Sequence, residues 1–318
     1  MRILYYISSF KTGGVESFLV DIINTWVDDD EITLCIITDD YNNNLLKNIK
    51  RDIDILYLRK SKKISRKAYF KQYLEYIKRK KIDIINCQDI ESLCFSATAK
   101  LVRPKMKLYI TIHEYEKEVQ SKKIYTYLTR LLLRKVIVVS DLIKNNLIKD
   151  GIDAKKIEVV CNGVKIDKYK NKKINCIGNN IKIACISRII PDKKGQDILI
   201  RSIEKVKEEY NNVKCYLLGD VIEEDKLFLL YLKKIIKSLK LDKNIVFVGA
   251  INNVPSFLND MDILVVPSRS EGLGLTVLEG MAARVPVIGT NINSIKSLIK
   301  NDEYGDLFTY DDYHDLSQ

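Results

Sequence analysis

The sequence predicts an α/β protein built as two doubly wound parallel-sheet domains, and three observations carry that expectation. Short apolar runs alternate with helix-like patterns from one end of the chain to the other, the pattern of strands joined by crossover helices. At 318 residues and 46% hydrophobic content the chain exceeds the usual size of a single core. A polar, lysine-rich stretch over 163–180, with the turn pairs Asn162-Gly163 and Gly178-Asn179, divides it near the middle.

Taken in order, strands are expected at 3–7, 32–38, 53–58, 82–87, 108–112, 136–139 and 157–160, then at 181–186, 213–218, 245–248, 263–266 and 287–288. These runs are rich in Ile, Val and Leu without polar alternation, as in strands buried on both faces. Helical spacing fills the gaps, for example over 15–26 and over 142–149, the latter with Ser140 as N-cap and Gly151 as stop. The expected domains are 1–170 and 171–318.

Composition narrows the classes. No apolar run approaches the ~18 residues of a membrane span, and the run at 3–7 is too short for a secretory signal, so it reads as the first strand. The seven cysteines form no CxxC pair and have no histidine at metal spacing, so most are expected as buried thiols in a reducing cytoplasm. The net charge of +11 lies wholly in the first half: residues 1–170 hold 33 Lys and Arg against 22 Asp and Glu, and residues 171–318 hold 20 against 20. Eleven of those cations and one glutamate fall in 59–81, including Lys62, Lys63, Arg66 and Lys67. There Phe70, Tyr73, Leu74 and Ile77 recur at helical spacing, giving a basic amphipathic helix. Its stripe either packs on its own sheet beneath solvated lysines, or the face meets anionic lipid or a lipid-linked phosphate. No zinc pattern or nucleic-acid motif accompanies the charge, so nucleic acid is not an expected partner.

The stretch richest in chemistry is Ser268-Arg269-Ser270-Glu271-Gly272-Leu273-Gly274-Leu275-Thr276-Val277-Leu278-Glu279, two glutamates eight positions apart around a glycine turn. It follows the expected strand 263–266 and opens a helix, the place where open α/β sheets bind ligands. After the strand 181–186 comes Ser187 to Gly195, in which Arg188 and Lys194 suit a diphosphate. After the first strand stands Gly13-Gly14, a glycine turn matching neither GxGxxG nor the Walker pattern.

Together with Thr111-Ile112-His113-Glu114 and Cys161-Asn162-Gly163-Val164, these elements occur in the order and approximate spacing of the retaining GT-B glycosyltransferases of glycosyltransferase family 4. The chain resembles that family over nearly its whole length, most closely from about 181 to 290. The resemblance implies a GT-B fold: two Rossmann-like domains facing across a cleft, with the acceptor on the first and a UDP-, GDP- or ADP-sugar on the second. It implies no cofactor and no obligatory metal. Glu279 would hold the ribose hydroxyls, and Arg188 and Lys194 the diphosphate, with amides near Gly13 and Gly14 closing over it. Glu271 and the amides of Gly272, Leu273 and Gly274, ahead of Leu275, would hold the transferred sugar. His113 would touch that sugar near the reacting carbon.

The implied activity is transfer with retention to a lipid-linked or oligosaccharide acceptor, in bacterial capsule, exopolysaccharide or other cell-surface glycan synthesis, at the inner face of the plasma membrane. A GT-B nucleotide-sugar epimerase and a noncatalytic sugar- or lipid-binding relative are the alternatives. Departures from the family pattern fall at Gly219-Asp220-Val221-Ile222, at Arg284 where glycine is frequent, and at 291–296. Family members continue into helices that cross back onto the first domain, so a chain ending at Gln318 reads as a short form or a truncated piece.

Overall fold

A computed structural model describes residues 1–318 apart from 12, 27–28, 59–65, 116–122, 170–179, 252 and 301–303. It divides into two compact units, Met1–Asn162 and Gly163–Gln318. The division falls at the start of the stretch expected to link the domains rather than at residue 170. Tyr169 buries its ring in the second unit's core beside Leu258, Leu264 and Val277.

The first unit is a seven-stranded parallel sheet in the order β3-β2-β1-β4-β5-β6-β7. Its strands are β1 (Arg2–Ile7), β2 (Glu31–Ile36), β3 (Asp54–Tyr57), β4 (Ile84–Cys87), β5 (Lys107–Ile112), β6 (Lys135–Val138) and β7 (Ile157–Val159). Between them run α1 (Gly14–Thr25), α2 (Asn43–Leu46), α3 (Arg66–Arg79), α4 (Ile90–Ser96), α5 (Ala99–Val102), α6 (Lys123–Leu132) and α7 (Asp141–Lys149). Ser140 caps α7 as expected, its hydroxyl accepting from the Ile143 amide. Chain order reverses between β1 and β4, where the sheet opens its ligand crevice.

The second unit is a six-stranded parallel sheet in the order β10-β9-β8-β11-β12-β13. Its strands are β8 (Ile181–Ile186), β9 (Val213–Leu218), β10 (Ile245–Gly249), β11 (Ile263–Val266), β12 (Val287–Thr290) and β13 (Asp306–Phe308). The last was not expected, because Asp306-Leu307-Phe308 holds only two apolar residues between polar neighbours and forms no apolar run. Helices α8 (Gln196–Glu209) and α9 (Lys226–Ser238) bury Leu199, Ile203, Leu232 and Ile236 against one face. On the other, α10 (Val254–Asn259), α11 (Leu275–Ala282) and α12 (Asn293–Ile299) bury Leu258, Val277 and Ile295. Gly280 of α11 lies so close to the sheet that a Cβ there would stand 2.5 Å from Leu264. Here chain order reverses between β8 and β11.

The aromatic stripe of α3 packs on its own sheet. Tyr69, Tyr73, Tyr76 and Ile77 are buried, and Tyr73 stacks on Tyr6 of β1 with centroids 5.2 Å apart. Phe70 and Leu74, expected in that stripe, are half-buried beside it. Of the cysteines, Cys35, Cys87, Cys185 and Cys215 are buried thiols. Cys94 and Cys161 are exposed, one on the outer side of α4 and the other in the loop after β7. Cys176 lies outside the described residues.

Candidate functional site

The loops after β8 and β11 meet at the second unit's switch point, where helix amino termini gather unpaired amides and partial positive charge. The β8 loop is held from beneath by Gln196, a buried side chain whose amide donates to Ser187 Oγ and to the Arg188 carbonyl, both at 2.9 Å. Gly195 turns with φ +66° into α8, and a Cβ on it would stand 1.9 Å from the Pro267 carbonyl oxygen. Only glycine allows the two loops so close an approach.

That approach brings Lys194 and Glu271 together. Lys194 Nζ donates to Glu271 Oε1 at 2.6 Å, and Ser268 Oγ donates to the same oxygen at 2.7 Å. Both charged side chains are mostly sheltered, at 16% and 17% exposure. The family resemblance implies separate partners for them, a phosphate and a sugar; the fold makes them partners of one another. Arg188 stands exposed at the carboxyl end of β8, without an ion-pair partner among the described residues. The glycine turn is buried through Gly272, Leu273 and Gly274, and Gly274 takes φ +89° to open α11 at Leu275. Among the described residues nothing accepts from the amides of Gly272, Leu273 and Gly274. Glu279 lies one turn further along α11, where its Oε1 accepts from the Tyr169 hydroxyl at 3.3 Å.

Two residues near this site escaped the sequence reading. One is Tyr169; the other is Arg269, which forks onto Asp197 with bonds of 3.0 and 2.8 Å and sends Nε to Asp311 at 2.7 Å. Hydrogen bonding to Asp197 above all holds its guanidinium well above the ordinary range, against the opposing pull of burial. An arginine beside a glycine turn was visible in the sequence, but its two carboxylate partners lie 72 and 42 positions away.

In the first unit the switch point is lined by Gly13, the N-cap of α1, with Gly14 opening the helix. Asp89 after β4 caps α4 and accepts from the Ser8 amide and hydroxyl, each at 2.7 Å. Past the end of β5, His113 forms a polar row. Its Nε2 meets Gln88 Oε1 at 2.9 Å, and Asn162 Nδ2 stands 3.5 Å from its Nδ1. Gln88 Nε2 donates to the Asn86 carbonyl at 3.3 Å. The amide oxygen is thereby turned toward the ring, making Nε2 the protonated nitrogen and Nδ1 an acceptor. Phe18 of α1 packs edge-on to the imidazole at 6.2 Å. Burial lowers the His113 pKa to about 4, so the ring is neutral near pH 7. Gln88 is not singled out by the sequence, where Asn162 figures only in a turn pair and in the Cys161–Val164 motif.

Of the basic segment, Lys62 and Lys63 lie outside the described residues, Arg66 opens α3 and Lys67 is exposed on it. Arg284 takes φ +57°, in the left-handed region that glycine enters without strain. Among the described residues no helix is long and apolar enough to cross a membrane, and no cluster of three or more metal-ligating side chains occurs.

Comparison with known proteins matches each unit separately. The family model described as "Glycosyltransferase Family 4" matches residues 12–168, and that described as "Glycosyl transferases group 1" matches 167–318. The chain is 26% identical over 321 residues to the O-antigen biosynthesis glycosyltransferase WclY of Escherichia coli, covering 92% of this chain and 80% of that protein. It is 27% identical over 201 residues to the capsular polysaccharide biosynthesis glycosyltransferase CapM of Staphylococcus aureus, covering 58% and 50% respectively. Among solved structures, Anabaena Alr3699/HepE in complex with UDP and glucose superposes with TM-score 0.86 at 21% identity, over 100% of this chain and 88% of that one. Two parallel α/β units, matched together over residues 12–318 by glycosyltransferase models, make the chain a glycosyltransferase of the GT-B fold.

Proposed function

We propose that this glycosyltransferase moves a sugar from a nucleotide-diphosphate sugar to a lipid-linked or oligosaccharide acceptor, with retention of configuration, in the synthesis of a bacterial cell-surface glycan. The observation that carries the reading is the Lys194–Glu271 pair, with Arg188 on the same loop as Lys194, at the switch point of the second sheet. The names of the relatives, in O-antigen and capsule synthesis, and the UDP-bound structural neighbour support it.

In this reading the first unit, Met1–Asn162, receives the acceptor and the second, Gly163–Gln318, the donor. A diphosphate carries more negative charge than a carboxylate, so it draws Lys194 from Glu271, and Arg188 closes on its other oxygens. Glu271, released, accepts from a sugar hydroxyl, with the amides of Gly272 to Gly274 beside it. Glu279 accepts from the ribose, positioned by Tyr169. As the sugar becomes oxocarbenium-like, the fixed cations stabilise the departing phosphate, which takes the acceptor's proton. No metal is given a part. His113, neutral and held through both ring nitrogens by Gln88 and Asn162, serves as a polar contact of the first unit. It is poorly suited to the proton abstraction an epimerase needs.

Incubation with UDP-, GDP- and ADP-sugars, following nucleotide release and the anomeric configuration of the product, tests the reading. Release with net retention is expected. Inversion, or epimerised donor in place of transferred sugar, would sink it.

A further inference from the structure

Resting on that reading, we propose that Arg269 is a positioning residue that sets the distance between the phosphate-binding Lys194 and the sugar-binding Glu271. The loops that carry these two residues are bolted at three successive points. The Arg269 amide donates to the Lys193 carbonyl at 2.8 Å, Gly195 lies against the Pro267 carbonyl, and the Arg269 guanidinium forks onto Asp197. Residues 193, 195 and 197 bracket Lys194, while 267 and 269 lead directly into Glu271. Of these ties, only the fork is made by side chains.

Its geometry suits alignment more than gross stability. Asp197 lies in the first turn of α8, where the helix dipole favours a carboxylate even without a partner, so the helix does not depend on the pair. Arg269 and Asp197 are 15% and 19% exposed, and two parallel N–H···O bonds fix both the distance and the plane of the guanidinium. Asp311, 49% exposed, adds a second carboxylate and extends the clamp to the turn after β13. Lysine can supply the charge at 269 but not the fork.

The test compares Arg269→Ala, Arg269→Lys and Asp197→Asn with wild type for turnover of the active donor, affinity for the nucleoside diphosphate, thermal unfolding and crystal structure. Loss of alignment by about 1 Å predicts a fall in kcat/KM of about 10²-fold in R269A, with little recovery in R269K and a matching loss in D197N. The R269A/D197N double variant should be no worse than either single one, since both remove one clamp. Crystals of R269A should show the Lys194 Nζ–Glu271 Oε1 contact opened from 2.6 Å. An R269A enzyme with wild-type kcat and KM, or crystals in which that contact is unchanged, would overturn the proposal. A wild type that releases no nucleotide from any donor overturns the functional reading instead, and the crystal distance then still decides the clamp. Should R269A fail to fold, R269K and D197N decide it by the same measurements.

Discussion

Lys194 holds its charge ready in a sheltered ion pair, and a partner of higher charge can take it over without a new cation being buried. Lys194→Ala should therefore lower turnover far more than donor affinity, by roughly 10²-fold or more, since the charge matters most as the phosphate leaves. Steady-state kinetics with calorimetry of the nucleotide measure the two separately; unchanged turnover would remove Lys194 from the mechanism. His113 offers a second test. Its folded pKa of about 4 lies below the ordinary value of about 6.5. The folded protein thus binds fewer protons than the unfolded one between those limits, and stability contributed by the neutral ring is lost as pH falls through that window. Gln88→Glu would place a carboxylate against Nε2–H, favour the imidazolium and raise the pKa. Because the chain has only two histidines, proton NMR of Gln88→Glu against wild type, with His314 substituted for assignment, reads the shift. A His113 titration that does not move would show that Gln88 does not set the ring's state.

At the scale of elements, the Glu271–Glu279 stretch splits between a loop and a helix, and the split predicts a division of labour. Glu271 shares its loop with Ser268 and faces Lys194, whereas Glu279 rides on α11 beside Tyr169. Glu279→Gln should weaken binding of the bare nucleoside diphosphate, whereas Glu271→Gln should weaken chiefly binding of the intact nucleotide sugar. Calorimetry with both ligands separates them, and equal losses on the bare nucleotide would refute the division. The elements themselves were legible: expected strands 181–186, 213–218 and 263–266 match β8, β9 and β11 residue for residue. Buried parallel strands are unbroken apolar runs, which polar helix caps delimit sharply. β13 was not legible, because its three residues gain their identity only from pairing with β12.

Across the whole molecule, the excess of +11 resides in residues 1–170. The buried aromatic stripe of α3 leaves the charged side of that helix facing water, with Lys67, Lys71 and Lys78 exposed. We propose that the first unit docks through 59–81 on an anionic membrane, presenting a lipid-linked acceptor to the enzyme. Each cation near such a surface contributes about 1 kcal/mol, so a few contacts suffice. Binding to anionic but not zwitterionic vesicles is expected. Salt should release it, as the Debye length shrinks from about 10 Å at 0.1 M to about 3 Å at 1 M. Changing Lys62, Lys63, Arg66 and Lys67 to Glu should reduce it. Sedimentation that ignores lipid charge, or survives those four substitutions, would leave the segment a solvated face and point to a soluble acceptor.

The sequence by itself determined the two parallel sheets, the positions of the glycine turns and the residue types gathered at the strand ends, because these depend on local periodicity and on backbone freedom at single positions. Tertiary structure alone decided which of those residues touch. Lys194 faces Glu271 because Gly195 lets one loop rest on the carbonyl of another. Arg269 becomes a clamp because Asp197 and Asp311 arrive from distant segments. His113 takes its tautomer from Gln88, whose own amide is turned by Asn86. Apart from the local Gln88–Asn86 bond, each of these contacts joins residues from separate segments of the chain, and no pattern within a window of sequence encodes a distance between two windows.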